Sequence, residues 1–89
     1  MKLGIIGSGQ IVKAFLPELV KMDGVEVVAI QDIPAVMESV EKMCADNNIP
    51  NAVCDFEDLA ELDIDTVYVA VPNFLHYMYC KMALEKGFN

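Results

Sequence analysis

An α/β fold is predicted for this chain: a parallel sheet wound with helices on both faces, strands in the order 3-2-1-4. Three observations predict it. Apolar, β-branched blocks alternate with segments of helical spacing along the whole 89 residues. The strand blocks are apolar almost throughout, as in sheets covered on both sides. The first strand runs straight into a glycine turn and a helix, the arrangement found at the head of doubly wound sheets.

Leu3, Ile5 and Ile6 form the first strand. The turn follows at Gly7-Ser8-Gly9, and a helix is expected from Gln10 to Met22, with Ile11, Phe15, Leu19 and Met22 repeating at helical spacing beside Val12, Leu16 and Val20. Pro17 lies inside it and removes an N–H, so a bend is expected there. Asp23-Gly24 ends it as a turn. Val25 to Gln31 is the second strand, with Asp32 at its carboxyl end. Pro34 suits the first turn of a helix reaching about Asp46, with Val36, Val40, Met43 and Cys44 on its buried side. Ala52 to Cys54 is a short third strand. Asp55 is placed to cap a short helix from Phe56 to Glu61. Asp65 to Val71 is the fourth strand, Pro72-Asn73 a turn, and Phe74 to Lys86 a last helix capped by Gly87.

Composition excludes several classes. Such a chain is one small domain at most. No apolar run approaches the roughly 18 residues of a membrane span. A net charge of −8 argues against nucleic acid and anionic membrane surfaces, both of which reward positive patches. Cys44, Cys54 and Cys80 have no metal-type or redox-motif spacing and are expected to be reduced, buried thiols. Met1 leads directly into the first strand, which leaves no room for a signal peptide, so a cytoplasmic location is expected.

The chemistry converges on one end of the sheet. Gly7 would turn the chain with φ > 0, and Gly9 would let the backbone approach a pyrophosphate held by the free amides of the next helix, at Gln10 and Ile11. The third small residue of that fingerprint is replaced by Val12, which would displace the helix from the strand or shift their contact. Asp32 stands 20 residues past Val12, where a carboxylate accepts the hydroxyls of an adenosine ribose and repels a 2′-phosphate. The other reading is that Asp32 caps the following helix. Ile33-Pro34 come next, and the chain has no arginine to compensate a 2′-phosphate, so NAD is expected over NADP. Ligands of such sheets bind beyond the carboxyl ends of the strands, where Gly7, Asp32 and Pro72 each stand.

The segments LGIIGSGQI, VEVVAIQD and DTVYVAVPNFLHYMYCKMALEKGFN resemble the start of the Gfo/Idh/MocA oxidoreductases, over essentially the whole chain. The most specific part is Val71-Pro72-Asn73 followed by His76, similar to that family's T-P-N-x-x-H with Val for Thr. The resemblance implies a Rossmann-type nucleotide domain, here partial, paired in longer relatives with a substrate domain that binds a sugar or cyclitol. It implies oxidation or reduction of a CH–OH carbon with NAD or NADP. Gly7, Ser8, Gly9, Gln10, Ile11, Asp32 and Ile33 would hold the cofactor. Val71, Pro72, Asn73 and His76 would lie near its nicotinamide half. On its own a single histidine on a helix reads as structural, and only the motif makes His76 a candidate contact.

The family's E-K-P motif, whose lysine supports proton transfer, follows the next strand and is not in this sequence; Lys81 and Lys86 do not match it. No catalytic residue is therefore expected within residues 1–89, and no turnover from them alone. The alternative is a nucleotide-sensing or structural module that moves no hydride. The fourth strand has no Lys or Pro at its centre to discourage edge pairing, so self-association is expected.

Overall fold

The computed structural model of the chain describes residues 1–70 and 73–88, and residues 73–77 by their backbone alone. Its elements are β1 (Lys2–Ile6), α1 (Gln10–Leu19), β2 (Glu26–Gln31), a 3₁₀ turn (Pro34–Val36), α2 (Met37–Asp46), β3 (Asn51–Val53), α3 (Phe56–Ala60), β4 (Thr66–Val69) and α4 (Asn73–Glu85). The four strands form one parallel sheet in the order β3-β2-β1-β4. The expected fold class and strand order are therefore what the chain adopts.

The sheet divides the core in two. On one face Leu3, Ile5, Val27 and Ile30 pack with Val12 and Leu16 of α1 and with Val40, Met43 and Cys44 of α2. On the other, Ile6, Val28 and Ala29 pack with Phe56 and Leu59 of α3, Ile64 and Ala83 of α4. β1 and β2 are buried on both faces, which is why their sequences lack polar alternation. Val28 and Ala29 are consecutive yet share a face. The pairing register of β1 with β2 slips by one residue between Leu3 and Gly4, and that irregularity absorbs the extra residue.

Several boundaries differ from expectation. α1 stops at Leu19 rather than Met22. Lys21 and Met22 donate to the carbonyls of Glu18 and Leu19, three residues back, so the last turn tightens instead of continuing the helix. Its buried stripe is Val12 and Leu16; Ile11 and Met22 face solvent. Pro34 begins the 3₁₀ turn, α2 starts only at Met37, and Val36 is exposed. Asp55 has the extended backbone of an N-cap, but its side chain makes no capping bond. β4 is shorter than expected and only half buried. Cys44 is buried, whereas Cys54 and Cys80 are intermediate; none of the three forms a disulfide.

The end of α4 follows expectation. Gly87, at φ 85°, donates to the carbonyl of Leu84, and the Phe88 amide donates to that of Ala83. These are the paired bonds of a Schellman cap, and they turn Phe88 back onto the core.

Candidate functional site

The site is built where β1, β2 and β4 end. Gly7 leaves β1 at φ 103°, a backbone that residues with a Cβ rarely adopt, and so reverses the chain into α1. Its amide donates to the Gln31 carbonyl at 2.7 Å. The turn is thereby fastened to the last residue of β2, next to Asp32.

Gly9 has a different reason to be glycine. It is the N-cap of α1 at an ordinary φ of −72°, and a Cβ built there meets nothing within 4 Å. Nothing in the fold itself requires a glycine at this position. The first turn of α1 has no side-chain cap and no acidic residue, so its amides and the positive end of its dipole face the same open space. A bare helix N-terminus behind a residue with no side chain suits a diphosphate.

Asp32 lies across from this turn. Its Oδ2 accepts the Ser8 hydroxyl at 2.6 Å, and its Oδ1 accepts the Ile33 amide at 2.8 Å. The backbone is held as well, since the Asp32 amide donates to the Val53 carbonyl of β3. A carboxylate has about four lone-pair directions. One on each oxygen is occupied by protein, which leaves one on each for a ligand, the pattern a vicinal diol can fill. The capping reading is not what the structure shows: the N-cap of the following turn is Ile33, no side chain caps it, and the Asp32 bond goes to the adjacent Ile33 amide rather than to one two or three residues on.

Between the turn and β4 lies an open cleft of about 380 Å³, lined by Gly9, Gln10, Ile11, Val12, Tyr68, Val69 and Ala70. Tyr68 rests against Phe15 with ring centroids 5.3 Å apart and forms its far wall. The exposure of Ile11, unexpected for a helix stripe, is explained by this cleft: Ile11 is on its rim. Val12 is fully buried against β1, so the bulkier residue at the third fingerprint position is accommodated within the core. A larger cavity of about 660 Å³ opens at the other end of the sheet, around Pro17, Glu26 and Ile49. It lies away from the glycine turn and away from the carboxyl ends where this class of sheet binds ligands.

Of the residues expected at the site, the structure brings together Gly7, Ser8, Gly9, Gln10, Ile11, Asp32 and Ile33. Val71 and Pro72 lie outside the described residues, as do the side chains of Asn73 and His76. Two features escaped the sequence reading. Ser8 bonds Asp32, and Gln31, 3% exposed, donates its side-chain amide to the Cys54 carbonyl at 2.6 Å and so ties the ends of β2 and β3. A polar residue closing the apolar run from Val27 to Ile30 was the available signal for Gln31. Among the described residues no cluster of His, Cys, Asp and Glu could hold a metal ion, and no helix is long and apolar enough to cross a membrane.

Residues 1–89 match the model of the Gfo/Idh/MocA family, described as an oxidoreductase family with an NAD-binding Rossmann fold. Trans-1,2-dihydrobenzene-1,2-diol dehydrogenase of Xenopus tropicalis is 29% identical over 89 residues, covering 99% of this chain and 27% of that protein. An uncharacterised oxidoreductase of Rhizobium meliloti is 30% identical over 91 residues, 98% of this chain and 26% of its own length. Among solved structures, KijD10, a 3-ketoreductase from Actinomadura kijaniata in complex with NADP and TDP-benzene, superposes with a TM-score of 0.88 at 27% identity, over 100% of this chain and 27% of its own. Scyllo-inositol dehydrogenase from Lactobacillus casei, with bound NAD(H) and scyllo-inositol, gives 0.82 at 25% identity, over 100% of this chain and 26% of its own. The chain thus spans about a quarter of the length of these relatives.

Proposed function

This chain belongs to the Gfo/Idh/MocA oxidoreductase family, and from that premise we propose that it is the dinucleotide-binding portion of an enzyme acting on the CH–OH group of a sugar or cyclitol. Support comes from relatives named as an inositol dehydrogenase and a 3-ketoreductase, and from a glycine turn, bare helix end and carboxylate gathered at one end of the sheet. The bound nicotinamide would donate or accept the hydride. Residues of this chain bind and orient it. Gly7 shapes the turn, Gly9 leaves room for the diphosphate, and the amides of Gln10 and Ile11 face it. Asp32, beside Ile33, holds the adenosine ribose. By their match to the family motif, Val71, Pro72, Asn73 and His76 lie toward the nicotinamide half. Substrate-binding and proton-transfer groups belong, in this reading, to a further domain, and residues 1–89 bind cofactor without turning it over.

NAD is the proposed cofactor. The observation that carries this is the Asp32 carboxylate, fixed at the end of β2 with one lone-pair direction open on each oxygen and no arginine in the chain. Titration with NADH and NADPH, followed by nicotinamide fluorescence, tests it. NADH should bind at least tenfold tighter, and Asp32→Ala should remove most of that preference. Equal or tighter binding of NADPH would overturn the assignment. We further propose a cytoplasmic location, and self-association through β4, which is the edge of the described sheet.

A further inference from the structure

We propose that Ser8 is a positioning residue that sets cofactor preference by acting through Asp32 rather than by touching the cofactor. This rests on the reading of Asp32 as the ribose acceptor. Ser8 is 8% exposed, although the turn that carries it borders the open site. Its hydroxyl is committed to Asp32 Oδ2 at 2.6 Å, a short, charge-assisted bond. A side chain so enclosed has little surface left to offer a ligand.

The consequence for Asp32 is geometric. The Ile33 amide, on the adjacent residue, holds Oδ1 but leaves the carboxylate able to pivot about it. Ser8 reaches across from the β1 turn and supplies the second point of attachment. The turn it comes from is itself fastened, by the Gly7 amide on the Gln31 carbonyl at 2.7 Å. The four residues form a closed loop of contacts: Gly7 to Gln31 through backbone, Gln31 to Asp32 through the chain, Asp32 to Ser8 through side chains, Ser8 to Gly7 through the chain.

A carboxylate held at two points does two things. It presents its remaining lone pairs in one orientation to a 2′,3′-diol, so a ribose finds its acceptors already placed. It also cannot swing aside for a 2′-phosphate, so the like-charge repulsion is kept in full. Removing the Ser8 hydroxyl weakens the first effect and relieves the second. Binding of the unphosphorylated cofactor falls, and binding of the phosphorylated one rises. A residue that served only the shape of the turn would move both in the same direction.

The test is the ratio of NADPH to NADH dissociation constants, measured by nicotinamide fluorescence on the full chain carrying Ser8→Ala, Ser8→Thr, Asp32→Ala and the Ser8→Ala/Asp32→Ala pair. Ser8→Ala should cut the ratio about five- to tenfold, within the net range of one ordinary hydrogen bond. Ser8→Thr, which keeps the hydroxyl, should restore most of it. In the Asp32→Ala background, Ser8→Ala should leave the ratio where it is. If Asp32→Ala collapses the ratio but Ser8→Ala does not, or weakens both cofactors equally, the Ser8 proposal fails while the Asp32 assignment stands. If Asp32→Ala leaves the ratio unchanged, or if neither cofactor binds, the assignment fails and the Ser8 proposal with it. Circular dichroism reports whether each variant folds; should Ser8→Ala not fold, Ser8→Cys, similar in size and a poorer donor, carries the same comparison.

Discussion

The amide of Gly7 lies 2.7 Å from the carbonyl oxygen of Gln31, so the loop that leaves β1 is hydrogen-bonded to the end of β2 rather than standing free above the sheet. The Gly7 backbone makes this bond at φ 103°. The two turn glycines therefore separate into one the fold needs and one it does not.

Gly7→Ala should destabilise the chain by about 1–3 kcal/mol, the cost of a residue with a Cβ in a sparsely populated backbone region. Gly9→Ala should change stability by less than about 0.5 kcal/mol, because its φ is ordinary and its Cβ meets nothing. The same Gly9→Ala variant should lose NADH affinity by tenfold or more, since its methyl group enters the space proposed for the diphosphate. Urea denaturation and fluorescence titration measure the two effects separately. Equal losses of stability from both variants would contradict the division.

Asp65 gives the stability an acid limb. The Thr66 hydroxyl, foremost, and the Lys2 amide donate to its carboxylate and lower its pKa from the ordinary value. A lowered native pKa means that the contribution is complete above the unfolded value of about 3.9. It is lost as pH falls through the still lower native value. Unfolding midpoints recorded from pH 6 downward should therefore decline in that window, and Asp65→Asn should flatten part of the decline. An unchanged slope in the variant would show that Asp65 takes no part.

Cys44 should be the last of the three thiols to react. Burial raises its pKa, so little thiolate is present near pH 8, and the sulfur lies in the core between α2 and the sheet, against the Asn51 carbonyl of β3. Cys54 and Cys80 are partly accessible. Mass spectrometry after brief iodoacetamide treatment at pH 8 should find Cys44 unmodified until denaturant is added. Early labelling of Cys44 in folded protein would refute this.

Self-association through β4 predicts a mass above that of a single chain in sedimentation experiments. Tyr68, 44% exposed on that strand, is the place to interfere. Tyr68→Lys puts a charge on the edge, and two copies paired there would bring like charges close together. The variant should sediment as a monomer at concentrations where the parent does not. A parent that is monomeric at high concentration removes the proposal.

The strand order, the glycine turn and the place of Asp32 were legible in the sequence because each rests on local information: blocks of apolar residues, turn residues between them, and the rule for parallel connections. What was illegible depends on register. Ser8 and Asp32 are 24 positions apart, and only the alignment of β1 beside β2 makes them neighbours. The slip between Leu3 and Gly4, which puts Val28 and Ala29 on one face, leaves no mark in a pattern already apolar throughout. The end of α1 was misplaced for another reason. Met22 continues the helical spacing, yet the carbonyls behind Pro17 are taken by three-residue turns, and spacing is blind to which acceptor an amide selects.

The central place of β1 has a consequence for how the chain acquires its structure. β1 is synthesised before the other three strands of this sheet, yet one of its two neighbours, β4, is made more than sixty residues later: Leu3 is paired with Thr66. Closing so long an interval is slow relative to local pairing. Through most of its emergence from the ribosome the polypeptide therefore carries its most apolar strand with one side open. That interval, rather than the finished fold, is when the chain is most exposed to wrong partners and most in need of a chaperone.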